Sequence, residues 1–190
     1  GRLDADTEGV LLLTNDGELG HALMHPSRGV PKVYQAKLRG TITKQQLGEL
    51  RSGIELPPAR PLGPDGRPIG PDGQPLVNSR MRKTPHAALP AREWSAPCEV
   101  RVLKDTGRHT WLEITLHEGK NRQIHRMSEA IGSSLLKLQR IEYAELSIAD
   151  IPIGSYRPLG PAEIKKLRTS VGLTPIPEGA PLNDRPAPAK

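Results

Sequence analysis

Apolar residues along the chain fall into short runs and stripes separated by turn-forming residues, and their periods predict a mixture of strands and helices. Val10 to Leu13 is a continuous apolar run, read as a short buried strand, and Thr14-Asn15-Asp16-Gly17 after it is turn chemistry. Asn15 with Glu18 predicts a capped start to a short helix that stops before Pro26. Val30 to Leu38 has strand character, and Thr43 with Gln46 forms a capping box for a second helix ending near Gly53. Glu99 to Leu103 and Thr110 to Leu116 alternate well enough for a hairpin across Asp105-Thr106-Gly107. Ile124, Met127 and Ile131 recur at helical spacing, an inward stripe. Leu136 to Leu146 reads as a further strand, and Pro161 opens a last helix to about Arg168. Strands dominate the middle and helices punctuate it, so the fold class expected is α+β rather than a regularly alternating parallel sheet.

Composition changes this picture in two places. Residues 57–97 hold ten of the 20 prolines and residues 172–190 hold five, leaving five for everything else. Within the first stretch Gly63-Pro64-Asp65-Gly66-Arg67-Pro68-Ile69 is echoed by Gly70-Pro71-Asp72-Gly73-Gln74-Pro75-Leu76, two copies where a solenoid needs at least three. The expected organisation is one catalytic domain over 1–171, interrupted by a Pro/Gly-rich insertion at 57–97, with a disordered tail at 172–190. The insertion brings Arg60, Arg67, Arg80, Arg82, Lys83 and Arg92 against three acids, a balance that could touch RNA but is read first as a solvated basic loop.

The 190 residues contain one cysteine, Cys98, which excludes a disulfide framework and a multi-cysteine zinc site. No run of apolar residues approaches the length of a membrane span. The chain opens at Gly1 without a start methionine or leader and reads as a fragment. A net charge of +6 makes a polyanion the favoured class of partner, because cations that neutralise phosphates release condensed counterions.

Several chemical constellations are missing: there is no Gly-rich phosphate loop after a strand, no GxSxG elbow and no HExxH pair. His21 and His25 are four apart on a short helix, two ligands without a third, so no metal site is assigned. Two segments stand out. In Gly1-Arg2-Leu3-Asp4-Ala5-Asp6-Thr7-Glu8-Gly9-Val10, Arg2 and Asp4 share a side of an extended segment, as a surface ion pair or as a site. In Glu118-Gly119-Lys120-Asn121-Arg122-Gln123-Ile124-His125-Arg126-Met127, cations at 120, 122 and 126 open a helix, where a docked anion or plain solvation accounts for them.

Taken together, GRLDADTEGVLLLTND and the later HEGKNRQIHRM resemble the ribosomal-RNA branch of the pseudouridine synthases. Lys32-Val33-Tyr34 and Lys137-Leu138-Gln139-Arg140 fall between and after them in the family's order, and the likeness covers residues 1–40 and about 99–168. The resemblance implies a mixed, mostly antiparallel sheet with flanking helices and a catalytic cleft across it. It implies that a uridine in ribosomal RNA is isomerised after flipping out, with no cofactor, metal or second substrate, by a cytoplasmic monomer. By the same likeness Asp4 is the essential carboxylate, Lys120 its basic partner, and Tyr34 the ring that packs on the uracil. Leu138 walls the pocket and Arg2 fills the space that the extruded nucleotide leaves. Thr7, Arg122, Gln123 and Arg126 complete the residues expected to contact RNA, with Arg28 as a further phosphate contact.

His125 departs from the pattern, standing where the family usually has an arginine, and the insertion is not typical of the branch. The likeness also implies that a strand and a small RNA-binding domain ordinarily precede Gly1. A non-catalytic RNA-binding or ribosome-assembly module on the same scaffold, and the same chemistry on another RNA, are the alternatives.

Overall fold

Four long strands, with regular alternation of buried side chains along the third of them, His109–Leu116, build the sheet that organises the molecule. The structure, a computed structural model, describes residues 2–4, 6–59, 92–149 and 151–175. In chain order these form β1 (Thr7–Gly9), α1 (Gly17–Met24), β2 (Lys32–Arg39), α2 (Lys44–Ser52), β3 (Glu55–Leu56), β4 (Glu93–Trp94), β5 (Glu99–Asp105), β6 (His109–Leu116), α3 (Gln123–Ala130), β7 (Leu135–Tyr143), β8 (Leu146–Ser147) and α4 (Pro161–Ser170). The main sheet runs β1-β7-β2-β6-β5, with β8 beside β7. Among the described residues only β1 against β7 is parallel; the other pairings are antiparallel. This is the α+β, mostly antiparallel architecture expected.

One face of the sheet is apolar and is covered by α2 and α3. Ala36 and Leu38 of β2, Leu112, Ile114 and Leu116 of β6, Val100 of β5 and Leu138 of β7 meet Leu47 and Leu50 of α2 and Ile124, Met127 and Ile131 in and after α3. Full burial of each large side chain contributes roughly 1.5–3 kcal/mol, so this layer dominates stability. A second cluster joins α1 and α4 around Tyr143, Val10 and Val30. Arg168 fastens those helices: its guanidinium donates to Asp16 at 2.5 Å and to Glu18 at 2.9 Å. The Thr43–Gln46 capping box forms as read, and the hairpin turns at Asp105–Gly107.

The sequence reading is corrected in three places. Val10 to Leu13 is not a strand: pairing stops at Gly9, and Leu13 is 86 % exposed. Beyond Val10 the segment turns away from the sheet toward α1, so the apolar run is loop, with only Val10 inside the core. The cap of α1 is Asp16, whose carboxylate accepts from the Leu19 N–H at 3.0 Å, rather than Asn15. His25, read as sharing the short helix with His21, lies just past its end and caps the following turn, its Nδ1 accepting from the Ser27 N–H. Residues 60–91 and 176–190 of the insertion and tail lie outside the described residues; β3 and β4 pair at the insertion's two ends.

β1 is short but tightly seated. Gly9 has φ +119°, and a Cβ there would come 2.1 Å from the Arg140 carbonyl oxygen, so only glycine lets the chain run this close to β7. Gly9→Ala is expected to cost about 1–3 kcal/mol of local packing. Amide exchange should show lost protection at Thr7–Val10 with the core amides of β6 and α3 unchanged; retained protection at Thr7–Val10 would show that the close approach is not needed.

Candidate active site

The parallel pairing of β1 with β7 carries the Asp4 segment along the sheet's edge to the middle of β7. Thr7 lies beside Leu138, and the Thr7 N–H donates to the Asp4 carbonyl at 2.9 Å, closing a turn that presents the Asp4 side chain over the strand ends. A cleft of about 560 Å³ opens there. Its walls include Arg2, Asp4, Thr7, Tyr34, Lys120, Arg122, Gln123 and Leu138, eight of the ten residues selected from the sequence.

Each wall residue is placed for a local reason. Tyr34 and Leu138 are on the apolar face of β2 and β7, where alternation points them toward the core and the cleft floor. The Thr7 hydroxyl is buried with no hydrogen-bond partner among the described residues, an orphaned group facing the cleft. Lys120 is ion-paired with Glu118, not with Asp4. Among the described residues no salt bridge reaches Asp4. Gln123 secures this loop, accepting from the Lys120 N–H at 3.0 Å and donating to Glu118 at 2.6 Å. Burial pushes the Glu118 carboxyl up, but hydrogen bonds from Lys120, the Ala96 N–H and Gln123 win and hold it below the usual carboxylate range.

A second set of contacts clamps the Asp4 segment from outside. Asp6 accepts from Arg122 at 3.0 Å and pairs with His125 Nε2 at 3.0 Å, across more than a hundred residues of sequence. One oxygen each of Asp4 and Asp6 and a ring nitrogen of His125 lie within 4.8 Å of one another. Three donors at that spacing resemble part of a cation site, but Arg122 and His125 already satisfy Asp6, so the trio is a clamp. The Arg122 hydrogen bond holds the Asp6 carboxyl below 3.8, against the upward push of burial and with His125 assisting. A lowered acid contributes its stability above the ordinary value and loses it as pH falls through the lowered one, so the Asp6–Arg122 contact weakens in acid.

Arg122 reaches this position from a strained backbone: it is the N-cap of α3 at φ 45°, in the left-handed region. Arg126 does not join it. It is 5 % exposed, and it donates to the Pro57 carbonyl at 2.5 Å while pairing with Glu93 at 2.6 Å. The expected RNA contact is therefore a strut between α3 and the β3–β4 pair, and the assignment is corrected. Arg28, the further phosphate contact expected, lies outside the cleft walls, exposed on the turn after α1.

Other cleft residues were not assigned a role from the sequence. Lys32 and Arg140 stand on the floor with Tyr143, and Arg140 lies 4.8 Å from that ring. Burial, with Arg140 nearby, lowers the Lys32 pKa while Glu118 raises it. Sequence alternation with Tyr34 was the available signal for Lys32, two residues away on the same face. With Arg2, Lys120 and Arg122, the walls hold five cations against the carboxylates Asp4 and Glu118, a field that favours an anionic ligand.

The two arginines of the motif are separable by experiment. Arg122→Gln should lower the salt dependence of RNA binding by about one phosphate contact with little change in melting temperature. Arg126→Gln should do the reverse, destabilising the fold by on the order of 2–3 kcal/mol and leaving the salt slope intact. Equal salt slopes for the two variants would mean that they are not divided between binding and scaffold.

Comparison with known proteins agrees with the geometry. The model of the RNA pseudouridylate synthase family matches residues 1–130. A ribosomal large subunit pseudouridine synthase B of Bacillus subtilis (strain 168) is 37 % identical over 170 residues, spanning 88 % of this chain and 56 % of that protein. A protein of the same name from Haemophilus influenzae is 31 % identical, spanning 91 % of this chain and 39 % of its own length. A crystal structure of a pseudouridylate synthase superposes with TM-score 0.65 at 26 % identity, covering 88 % of this chain and 57 % of that one. The chain thus spans about half the length, or less, of these relatives. With both motifs gathered around one cleft, the chain belongs to the RNA pseudouridylate synthase family.

Proposed function

We propose that this chain is the catalytic part of a cytoplasmic, monomeric enzyme that isomerises a specific uridine of ribosomal RNA to pseudouridine. The observation that carries the reading is the convergence of Asp4, Tyr34 and Lys120, distant in sequence, on one cation-rich cleft. Relatives named for the ribosomal large subunit support ribosomal RNA as the substrate class. Among the described residues no helix is long and apolar enough to cross a membrane, which accords with a ribosomal substrate.

The reaction breaks the bond from N1 of uracil to C1′ of ribose, turns the base, and joins C5 to C1′. C5 gives up a proton and N1 gains one, so nothing is added or lost overall. A target nucleotide leaves its stack at a cost of a few kcal/mol, least in a loop, and enters the cleft. In the proposed arrangement Tyr34 holds one face of the uracil and Leu138 the wall behind it, keeping the detached base oriented. Asp4 acts on the ribose–uracil unit as the bond breaks. The Thr7 hydroxyl, unpaired without substrate, supplies a hydrogen bond to the nucleotide, while Arg2 and Arg122 hold the flanking phosphates. Lys120 is within reach of the same space; leaving Glu118 for a substrate anion or for Asp4 is a change of side chain only, since Gln123 and Ala96 still satisfy Glu118.

The test is to incubate the full-length protein with unmodified ribosomal RNA and map new pseudouridines, with Asp4→Asn alongside. A single site that vanishes in the variant, with RNA affinity kept within about 1 kcal/mol, or roughly fivefold, is expected. Salt-sensitive RNA binding without any new pseudouridine would overturn the isomerase reading in favour of a non-catalytic binding module.

A further inference from the structure

The sheet face turned away from the cleft carries an ordered row of cations that the active site does not use. Across four adjacent strands the register places Lys104 of β5 beside Trp111 of β6, Trp111 beside Lys37 of β2, and Lys37 beside Lys137 of β7. Lys37, Trp111 and Lys137 alternate with residues of the α2–α3 core and so point to the opposite side. Lys104 joins their face through the irregularity between Val102 and Lys104 that sets it opposite Trp111, and neither hydrophobic core includes any of the four. Lys104 and Lys137 are exposed and Lys37 and Trp111 half-buried. Three interstrand spacings of about 4.8 Å make the row roughly 14 Å long. Arg39, paired with His109, extends the basic end of this face. Glu99, Glu113 and Glu142 occupy its other end, where Arg101 pairs with Glu113 at 2.6 Å, so the net positive charge lies toward the lysine row.

This row is unfavourable for the folded chain alone. Lys37 and Lys137 are direct cross-strand neighbours, and like charges directly opposite destabilise a sheet. Lysines guard exposed sheet edges, which accounts for Lys104 on the edge strand β5, but β2 and β7 are interior strands. Compensation is partial: Glu8 holds Lys137 at 3.1 Å, and the Trp111 ring supports Lys37 with its Nζ 5.7 Å from the centroid. An arrangement that stacks repelling cations on a rigid aromatic floor is complete only with an anion across it.

We propose that this row is a second RNA-binding surface, holding the phosphate backbone of a segment apart from the target nucleotide. The inference rests on the RNA reading above and extends it. The sheet separates the row from the cleft, so the segment held there belongs to another part of a folded RNA, and the surface favours large structured substrates over a short hairpin.

The test measures binding rather than turnover. For the full-length protein carrying Lys37→Gln, Lys104→Gln and Lys137→Gln together, affinity for a long, structured ribosomal RNA should fall on the order of tenfold, and its salt slope by about 2 to 3. Acylation footprinting of the unaltered protein provides a readout that does not depend on the variant's folding. The RNA should protect Lys37, Lys104 and Lys137, while the exposed Lys44 and Lys165 stay reactive. An unchanged salt slope with unprotected row lysines overturns the proposal, and protection by polyglutamate but not by RNA overturns it in favour of an acidic protein partner. Absence of pseudouridine formation would count against the isomerase reading alone, leaving this result to stand by itself.

Discussion

The contact on which the site depends is the one between Gly9–Val10 and Arg140. The Val10 N–H donates to the Arg140 carbonyl at 2.8 Å, and the Arg140 guanidinium returns two hydrogen bonds to the Val10 carbonyl, at 3.0 and 2.7 Å. Arg140 is 3 % exposed, and its described partners are these carbonyl bonds and the Tyr143 ring. A buried cation without a carboxylate is costly unless its hydrogen bonds are made, so releasing β1 would strand a charge as well as a strand. Asp4 has no salt bridge of its own to hold it among the described residues. Its place comes from backbone: β1 seats it from one side and the Asp6 clamp on Arg122 and His125 from the other.

That division leaves the Asp4 carboxylate without an ion pair among the described residues. Had Lys120 paired with Asp4, the carboxylate would be tied to a cation before substrate arrived. Instead the loop from Glu118 to Gln123 is closed on itself, with Glu118 drawing Lys120, the Ala96 N–H and Gln123 together. A loop satisfied internally can stand at the rim of the cleft without collapsing onto Asp4, with Lys120 in the cleft wall. The same logic explains Asp6, which absorbs Arg122 and His125 so that the cleft's positive field is ordered rather than mobile.

Much of this was legible in the residues. Helical spacing of Ile124, Met127 and Ile131, the Thr43–Gln46 cap and the alternation of β6 are local signals with local causes, and they hold. The cleft membership of Asp4, Tyr34, Lys120 and Leu138 followed from motifs. What stayed hidden depends on tertiary pairing. A run such as Val10–Leu13 looks buried because apolar residues usually are, yet whether it joins a sheet is decided by the available partner strand, and β7 accepts only Thr7–Gly9. Lys32 and Arg140 alternate with Tyr34 and Leu138 and were within reach of the strand pattern, whereas Tyr143 entered the site through β-bulge register, which no single-strand pattern contains.

The fate of Arg122 and Arg126 shows the same limit within one motif. Four residues apart, they would share a face if both were helical, and grouping them as phosphate contacts is sound on that premise. Arg122, however, stands outside α3 in the left-handed region, so the helical period does not include it. The turn aims it at the Asp6 segment, whereas Arg126, one turn into the helix, faces the β3–β4 pair and satisfies the Leu56 and Pro57 carbonyls. One basic motif therefore does two jobs: its strained first arginine serves the cleft, and its second anchors the base of the proline-rich excursion to the helix that forms the cleft wall. A backbone dihedral, rather than the identity of either residue, makes that distinction.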